Sequence, residues 1–246
     1  MTQGTTVTDQ PRPRPSSPSL GSKLLAEFVG TFFLIAAGIG IFVSTSAHAD
    51  LLAVAFAHGL AIAIGVTAVG HVSGGHLNPA VTVALAAFGK IKPVEALLYI
   101  VAQLAGAYLA AVSLWLAFGV KASELTGSVP ALGSQLGVWN GIFLEAIATF
   151  LLVWTVVAVA VDLDGAYNKL AGLPIGLAVT VGILIIGTST GAALNPARWF
   201  GPALLTTTWN DALVWIAGPV LGGIVAAGVH LYGIRPRLAG VAVEDV

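Results

Sequence analysis

A short motif occurs twice in this sequence, and each copy predicts a helix that begins abruptly within apolar sequence. The first copy spans residues 76–81 (HLNPAV) and the second spans residues 193–198 (ALNPAR). In each copy an Asn can cap the free N–H groups of a helix, and the Pro that follows has a backbone φ suited to the first turn. A helix from Asn78 to Phe88 would be about 15 Å long, half of a hydrocarbon core of about 30 Å. The two motifs therefore predict a pair of half-helices.

Half-helices at membrane depth restrict which surroundings their irregular backbone can have. Irregular backbone in a bilayer is tolerated only where it is buried in protein or lines a water-filled cavity. Two broken helices in corresponding positions therefore predict a polar pathway between them. The first candidates to line it are the residues at the two helix starts: Asn78, Pro79, Ala80, Asn195, Pro196 and Ala197.

The composition is that of an integral membrane protein. Hydrophobic residues make up 57% of the 246 residues and charged residues 9%, and the mean hydropathy is +0.94. These values exclude an ordinary soluble domain. The chain has no cysteine, so a disulfide framework and a thiolate metal or redox site are excluded. We expect no cofactor and no metal, and the net charge of −1 without a basic stripe gives no reason to expect a nucleic-acid partner.

Six apolar runs are candidates for membrane spans, at about residues 24–43, 51–69, 94–118, 141–161, 170–187 and 212–232. The half-helices fall between the second and third runs and between the fifth and sixth. We therefore predict an all-α membrane protein with six transmembrane helices and two re-entrant half-helices. The membrane domain is predicted over residues 22–233, with a disordered cytoplasmic tail over 1–21 and a second cytoplasmic tail over 234–246.

The two halves of the chain are copies of one another. Four glycines of the first half recur 117 positions later in the second, as the pairs Gly59 and Gly176, Gly65 and Gly182, Gly70 and Gly187, and Gly74 and Gly191. Repeat one covers about residues 22–118 and repeat two about residues 139–233. Because each copy contains three spans, the second must enter the membrane from the opposite side, which gives an inverted repeat.

The distribution of Lys and Arg predicts the orientation. Two basic residues, Lys121 and Arg198, lie on one side of the predicted membrane, and eight lie on the other: Arg12, Arg14, Lys23, Lys90, Lys92, Lys169, Arg235 and Arg237. Positive charge accumulates on the cytoplasmic side. Both termini are therefore predicted to be cytoplasmic.

Three features of the sequence resemble those of one known family: the paired Asn-Pro-Ala motifs, the segment AEFVGT at residues 26–31 and the segment NPARWFGP at residues 195–202. By these features the chain resembles the aquaporin, or major intrinsic protein, family. The resemblance implies that residues 22–233 form a channel domain in a homotetramer with one pore per protomer. Water or small neutral solutes would pass down their gradients.

Physical reasoning about the motifs agrees with that function. Two helix N-termini aimed at one point carry about half a positive charge each and repel cations. The Asn78 and Asn195 amides could donate to a passing water and hold it so that it does not relay protons. The apolar runs contain no chain of Asp, Glu and His for proton transfer, which counts against a pump or a proton-coupled carrier.

The resemblance also implies a selectivity filter, at family positions that fall on His58, Ile183, Ala192 and Arg198. Arg198 would bar cations; the alternative is a cation whose side chain extends to the surface. His58 could instead be a buried histidine bound to a carbonyl of a neighbouring helix. Strict water channels usually have Phe and His where this chain has His58 and Ile183. The set is similar to that of tonoplast intrinsic proteins, some of which pass ammonia, urea or hydrogen peroxide.

Two carboxylates in the predicted spans, Glu27 and Glu145, have two interpretations. The resemblance implies that they brace the re-entrant segments by accepting backbone N–H groups, whereas a carboxylate within a membrane is also a candidate transport site. We favour the bracing role.

The sequence thus predicts a passive channel for water and small neutral solutes, with ammonia favoured, urea and hydrogen peroxide as further candidates, and ions excluded. The alternatives are a strict water channel and a glycerol facilitator; a coupled transporter and a purely structural membrane protein are other classes to weigh. No enzymatic function is expected, because no nucleophile, base and orienting group come together in the spans. The plasma membrane is the expected location.

Overall fold

The computed structural model describes residues 17–45, 50–162 and 170–234, and within them the chain is helical. The α-helices are α1 (Leu20–Ser44), α2 (Leu51–Ser73), α3 (Pro79–Ala87), α4 (Pro93–Phe118), α5 (Val138–Val156), α6 (Gly172–Thr190), α7 (Pro196–Thr206) and α8 (Ala212–Gly228). A 3-10 helix covers Ala122–Ser128, and π-helical turns extend α5 to Val161 and α8 to Ile234.

Six of these helices are long and apolar enough to span a bilayer. They are α1, α2, α4, α5 with its π-helical extension, α6, and α8 with its extension, and they contain between 19 and 26 residues each. The remaining two, α3 with 9 residues and α7 with 11, are too short to span. The predicted fold class of six spans and two half-helices is therefore confirmed, and the chain is a multi-pass membrane protein.

The two halves are joined by exchanged half-helices. α3 belongs to the first half but packs mainly against α8, the last helix of the second half. Conversely, α7 packs mainly against α4, the last span of the first half. Each half-helix therefore lies between its own repeat and the other, and neither half can place its motif without the other.

Small residues allow the central spans to approach closely. At the crossing of α2 and α6, a Cβ added to Gly59 would lie 2.7 Å from the carbonyl oxygen of Gly176 and would overlap Thr180. These two glycines are one of the repeated pairs. Backbone contact across small residues is a common way for helices to associate in membranes, where no hydrophobic force drives them together.

Two helices continue beyond the apolar runs that indicate them. The second run ends at about residue 69 and the fifth at about residue 187, whereas α2 continues to Ser73 and α6 to Thr190. Each helix stops only at a glycine in the left-handed region, Gly74 with φ 91° and Gly191 with φ 75°. The apolar run ends before the helix does, because the last turn already lies beside polar groups of the re-entrant segment.

Other predictions concern the ends of the chain. The first helix begins at Leu20, within the predicted 1–21 tail, and Ser19 caps it by accepting from the Ser22 N–H at 3.1 Å. Residues 1–16 and 235–246 lie outside the described residues, as do Arg12, Arg14, Lys169, Arg235 and Arg237. The domain boundaries stay predictions.

Candidate functional site

The two motifs start their half-helices in the same way. The side-chain oxygen of Asn78 accepts the Ala80 N–H at 2.8 Å, and that of Asn195 accepts the Ala197 N–H at 2.9 Å. Pro79 and Pro196 occupy the first helical position, where the missing N–H costs nothing. Both helices therefore begin at the residues that the sequence predicted.

The two asparagines also tie the motifs to each other, which the sequence did not predict. The Asn78 amide nitrogen donates to the carbonyl oxygen of Leu194 at 2.9 Å, and the Asn195 amide nitrogen donates to that of Leu77 at the same distance. Leu77 and Leu194 have positive φ angles of 50° and 53°, which turn the chain sharply before each helix start. An amide has two N–H groups, so each Asn keeps one more for a ligand.

Glu27 lies behind the first motif, with all of its side chain buried. Its two oxygens accept four hydrogen bonds: from the hydroxyl of Ser73 at 2.6 Å, the N–H of His76 at 2.9 Å, the N–H of Leu77 at 2.7 Å and the amide of Gln103 at 2.8 Å. A carboxylate that receives several donors in place of water can remain buried without an ion pair. This arrangement favours the bracing interpretation over a transport site.

Glu145 occupies the equivalent place behind the second motif and is also fully buried. It accepts three hydrogen bonds: from the hydroxyl of Thr190 at 2.7 Å and from the N–H groups of Ala193 at 2.9 Å and Leu194 at 2.8 Å. No fourth protein donor like Gln103 is recorded for it among the described residues. Three further residues belong to the site, and the motifs do not predict them: Ser73, Gln103 and Thr190. Each is a polar residue in or at the end of an apolar span, which is the feature of the sequence that could have identified it.

The polar pathway narrows sharply at the motifs. On one side lies a cavity of about 740 Å³, the His76 vestibule, whose lining includes Lys23, His76 and Glu95. On the other lies a cavity of about 290 Å³, the Arg198 vestibule, whose lining includes Phe42, Ser128, Ile183 and Arg198.

Between them lies a central cavity of only about 20 Å³, lined in part by Asn78, Asn195, His58, Ile183 and Arg198. A cavity needs about 10–15 Å³ to hold one water molecule. The central cavity therefore has room for about one small molecule at a time. Ile183 and Arg198 line both the central cavity and the Arg198 vestibule, so these two cavities adjoin.

The structure brings together three of the four predicted filter residues. His58, Ile183 and Arg198 all line the central cavity, although they come from α2, α6 and α7. Ala192 lines neither this cavity nor the Arg198 vestibule, and its side chain is 1% exposed. It has a positive φ of 47°, in the turn before the second motif. Its role in the filter stays a prediction.

Arg198 is held against the wall of the pathway. One terminal nitrogen, Nη1, donates to the carbonyl oxygen of Ser128 at 3.0 Å. Ser128 ends the 3-10 helix that connects α4 to α5. A fixed guanidinium in the lining fits the predicted filter better than a side chain that extends freely to the surface.

His58 is held by its own helix. Its Nδ1 lies 2.9 Å from the carbonyl oxygen of Val54, one turn earlier in α2. A carbonyl oxygen can only accept, so Nδ1 carries the proton and Nε2 of the neutral ring is an acceptor. The carbonyl is therefore not that of a neighbouring helix, as the alternative interpretation required, and the ring lines the central cavity.

Comparisons of the sequence with known proteins point to one family. Residues 15–230 match the family described as major intrinsic protein. Over 215 residues the chain is 42% identical to aquaporin TIP4-4 of Zea mays, with 84% of each chain covered. It is 36% identical to aquaporin AqpM of Methanothermobacter thermautotrophicus, covering 87% of this chain and 98% of that one.

A solved structure has the same architecture. The aquaglyceroporin from Plasmodium falciparum superposes with a TM-score of 0.78 at 24% identity, covering 88% of this chain and 97% of that chain. At this identity the likeness shows the fold alone.

Proposed function

The chain belongs to the major intrinsic protein family and is a passive channel for water and small solutes rather than an enzyme; we propose that the further solute it passes is ammonia. The observation that carries this proposal is the central cavity of about 20 Å³, in which His58, Ile183 and Arg198 meet the two motif asparagines. Ammonia is close to water in size, so a space for about one water molecule also admits it.

The polar groups of the cavity suit a molecule that both donates and accepts. The guanidinium of Arg198 has N–H donors only, and Nε2 of a neutral His58 is an acceptor. Ammonia can accept from Arg198 through its lone pair and donate to His58. Ile183 adds an apolar wall where a strict water channel would usually place an imidazole.

Larger solutes rank lower. Urea and hydrogen peroxide are further candidates, since each can also donate and accept hydrogen bonds. Urea, however, must pass a cavity scarcely larger than one water molecule. Glycerol ranks below them, because glycerol facilitators usually have Asp directly after the filter Arg and this chain has Trp199.

Cations and protons are excluded by the positive charge at the central cavity. The N-termini of α3 and α7 both begin at asparagines that line the central cavity, and Arg198 lies in the first turn of α7. Each helix N-terminus carries about half a positive charge. Together with the guanidinium they give a cation no compensation for its lost hydration.

Assembly, location and orientation are part of the proposal. We infer a homotetramer from the family resemblance and cytoplasmic termini from the excess of Lys and Arg on one side, with the plasma membrane as the default location. Native mass spectrometry measures the first, membrane fractionation the second, and protease access to tags at each terminus the third.

A reciprocal pair of flux measurements tests the solute. In proteoliposomes, water flux is followed by osmotic swelling and ammonia entry by an internal pH dye. Ile183→His should suppress ammonia flux and spare water, because an imidazole replaces the apolar wall with a hydrogen-bonding group, as in strict water channels. Ile185→His is the matched control, since Ile185 lies on the same helix with 56% of its surface exposed and away from the cavity.

The strict water channel is the second candidate and is an outcome of the same test. If the wild-type protein raises water flux but not ammonia flux above that of empty vesicles, the ammonia proposal is wrong. If ammonia passes and Ile183→His leaves it unchanged, the assignment of Ile183 to the filter is wrong.

A further inference from the structure

The edge of the His58 ring that carries Nε2 lies against a glycine of α1. A Cβ added to Gly38 would overlap Nε2 of His58 and would lie 2.6 Å from its Cε1. The opposite edge of the ring is held by the bond from Nδ1 to the Val54 carbonyl oxygen at 2.9 Å. The imidazole therefore occupies the space in which any residue other than glycine at position 38 would place its side chain.

This contact differs from those of the other glycines. Several glycines, such as Gly106 and Gly222, would place a Cβ against backbone carbonyl groups of a neighbouring helix, which is ordinary close packing. Among the described glycines, only Gly38 would place a Cβ in overlap with a predicted filter side chain.

The position of the contact relates it to the pathway. Gly38 lines the Arg198 vestibule and His58 lines the central cavity. The contact between Gly38 and His58 therefore joins the walls of the two cavities. Ile183 and Arg198 face the same junction, since they line both cavities.

We propose that Gly38 determines the solute selectivity of this channel by setting how far the His58 ring stands back from the lumen. With glycine at position 38 the ring lies against α1, and the lumen keeps its width. With a methyl group there, the ring must give up its bond to Val54 or move toward Ile183 and Arg198. This inference deepens the proposed function and rests on it for the identity of the solute.

The size of the lumen makes one methyl group matter. The central cavity has about 20 Å³, little more than the 10–15 Å³ or so that one water molecule needs. The surrounding core is close-packed and cannot absorb an added group without moving a side chain. A small shift of His58 therefore changes which molecules pass, whereas the same group elsewhere on α1 should not.

Gly40 provides the matched control on the same helix. It is half-buried like Gly38, but its added Cβ would lie 3.4 Å from Cδ1 of Leu114, an ordinary contact. Gly38→Ala and Gly40→Ala therefore change the same residue type by the same group, and only the first contacts the filter.

The test measures water and ammonia permeability of Gly38→Ala, Gly40→Ala, His58→Ala and the double variant Gly38→Ala with His58→Ala, in proteoliposomes with equal amounts of reconstituted protein. Gly38→Ala should lower the ratio of ammonia to water permeability by about tenfold, since overpacking is resisted by a close-packed wall. Gly40→Ala should keep the wild-type ratio. In the His58→Ala background, Gly38→Ala should have no effect, because there is no ring to displace.

Two results would contradict the inference directly. An unchanged ratio in Gly38→Ala, or a Gly38 effect that persists without His58, would overturn it. If Gly38→Ala does not fold, the double variant should fold, and its failure to do so would mean that Gly38 acts through packing unrelated to His58. If the wild-type protein passes only water, the proposed solute is wrong, but the same four variants still test Gly38 through water flux, which should fall about twofold in Gly38→Ala alone.

Discussion

The two halves of the molecule share one scaffold and differ in what they add to it. Both have a buried Glu behind a motif that begins a half-helix, and both asparagines donate to the opposite motif. The first half adds a donor to its Glu, the amide of Gln103. The second half adds a charge: Arg198 stands in the position that corresponds to Val81. Duplication therefore accounts for the architecture, and divergence between the copies accounts for selectivity.

This difference indicates which property a mutation at each position would change. Val81 is 2% exposed and belongs to the hydrophobic core, whereas Arg198 lines the pathway. At this pair of corresponding positions, a change in the first half should therefore affect mainly stability, and a change in the second half should affect the exclusion of cations while the protein remains folded.

The largest expected effect is on stability, from removal of the buried carboxylates. Glu27→Ala leaves four donors without an acceptor and Glu145→Ala leaves three. Each unsatisfied buried donor costs about 1–3 kcal/mol, so we expect losses of about 4 kcal/mol or more and about 3 kcal/mol or more. Thermal unfolding of the purified protein in detergent should rank Glu27→Ala below Glu145→Ala. An equal or reversed ranking would mean that the number of donors does not set the strength of the brace.

Arg198→Val should break the second half's discrimination and not its fold. Without the guanidinium, the filter loses its fixed positive charge, so proton or small-cation leak should rise by about tenfold or more while water flux is retained. A pH-sensitive dye inside proteoliposomes measures the leak. Val81→Ala, at the corresponding position of the first half, is the control and should leave ion exclusion unchanged.

The same pair sharpens the comparison further. If ion exclusion survives in Arg198→Val, the two helix N-termini suffice and the charge has another role. If Val81→Ala also leaks, the exclusion of cations does not depend on Arg198 alone, and the first half contributes to it.

The asparagines should behave alike in the two halves. Asn78→Ala and Asn195→Ala each remove a helix cap and a bond to the opposite motif. A cap and a neutral hydrogen bond contribute about 1 kcal/mol each, so we expect a loss of about 2 kcal/mol in either variant. Chemical unfolding monitored by tryptophan fluorescence measures it. Losses that differ by more than about 1 kcal/mol between the variants, half of the expected effect, would show that the motifs are not equivalent.

How far the sequence predicts this structure depends on the distance between the interacting residues. The helix starts at Asn78 and Asn195 follow from adjacent residues, and the six spans follow from local composition. The bond from Asn78 to Leu194 joins residues 116 positions apart, and that from Gln103 to Glu27 joins residues 76 apart. Such contacts depend on how helices pack against one another, which no local pattern encodes.

The same limit applies to the filter. The resemblance selected His58 from its position in the sequence, but the contact with Gly38 exists only because α1 packs beside α2 at that height. Likewise, the apolar runs give the second and fifth spans but not their ends, because hydropathy measures where apolar residues stop, whereas the helices stop at Gly74 and Gly191.

The smallest expected effect would make the first brace resemble the second. Gln103→Met keeps the volume of the side chain but removes the fourth donor, so Glu27 would accept three bonds as Glu145 does. The Gln103 amide oxygen is buried without a partner in the described part of the chain, and Met abolishes that cost. Met also removes two bonds from the amide nitrogen, to the Glu27 carboxylate at 2.8 Å and to the Thr82 hydroxyl oxygen at 3.0 Å. Because these two terms oppose each other, the loss should be about 1 kcal/mol, which lowers the midpoint of thermal unfolding by about 2–4 °C. Val101→Met, on the same helix with 57% of the Val101 surface exposed, is the control and should lie within about 0.5 kcal/mol of the wild-type protein. A loss as large as that of Glu27→Ala would mean that three donors cannot hold the first motif, and that the two braces are not equivalent.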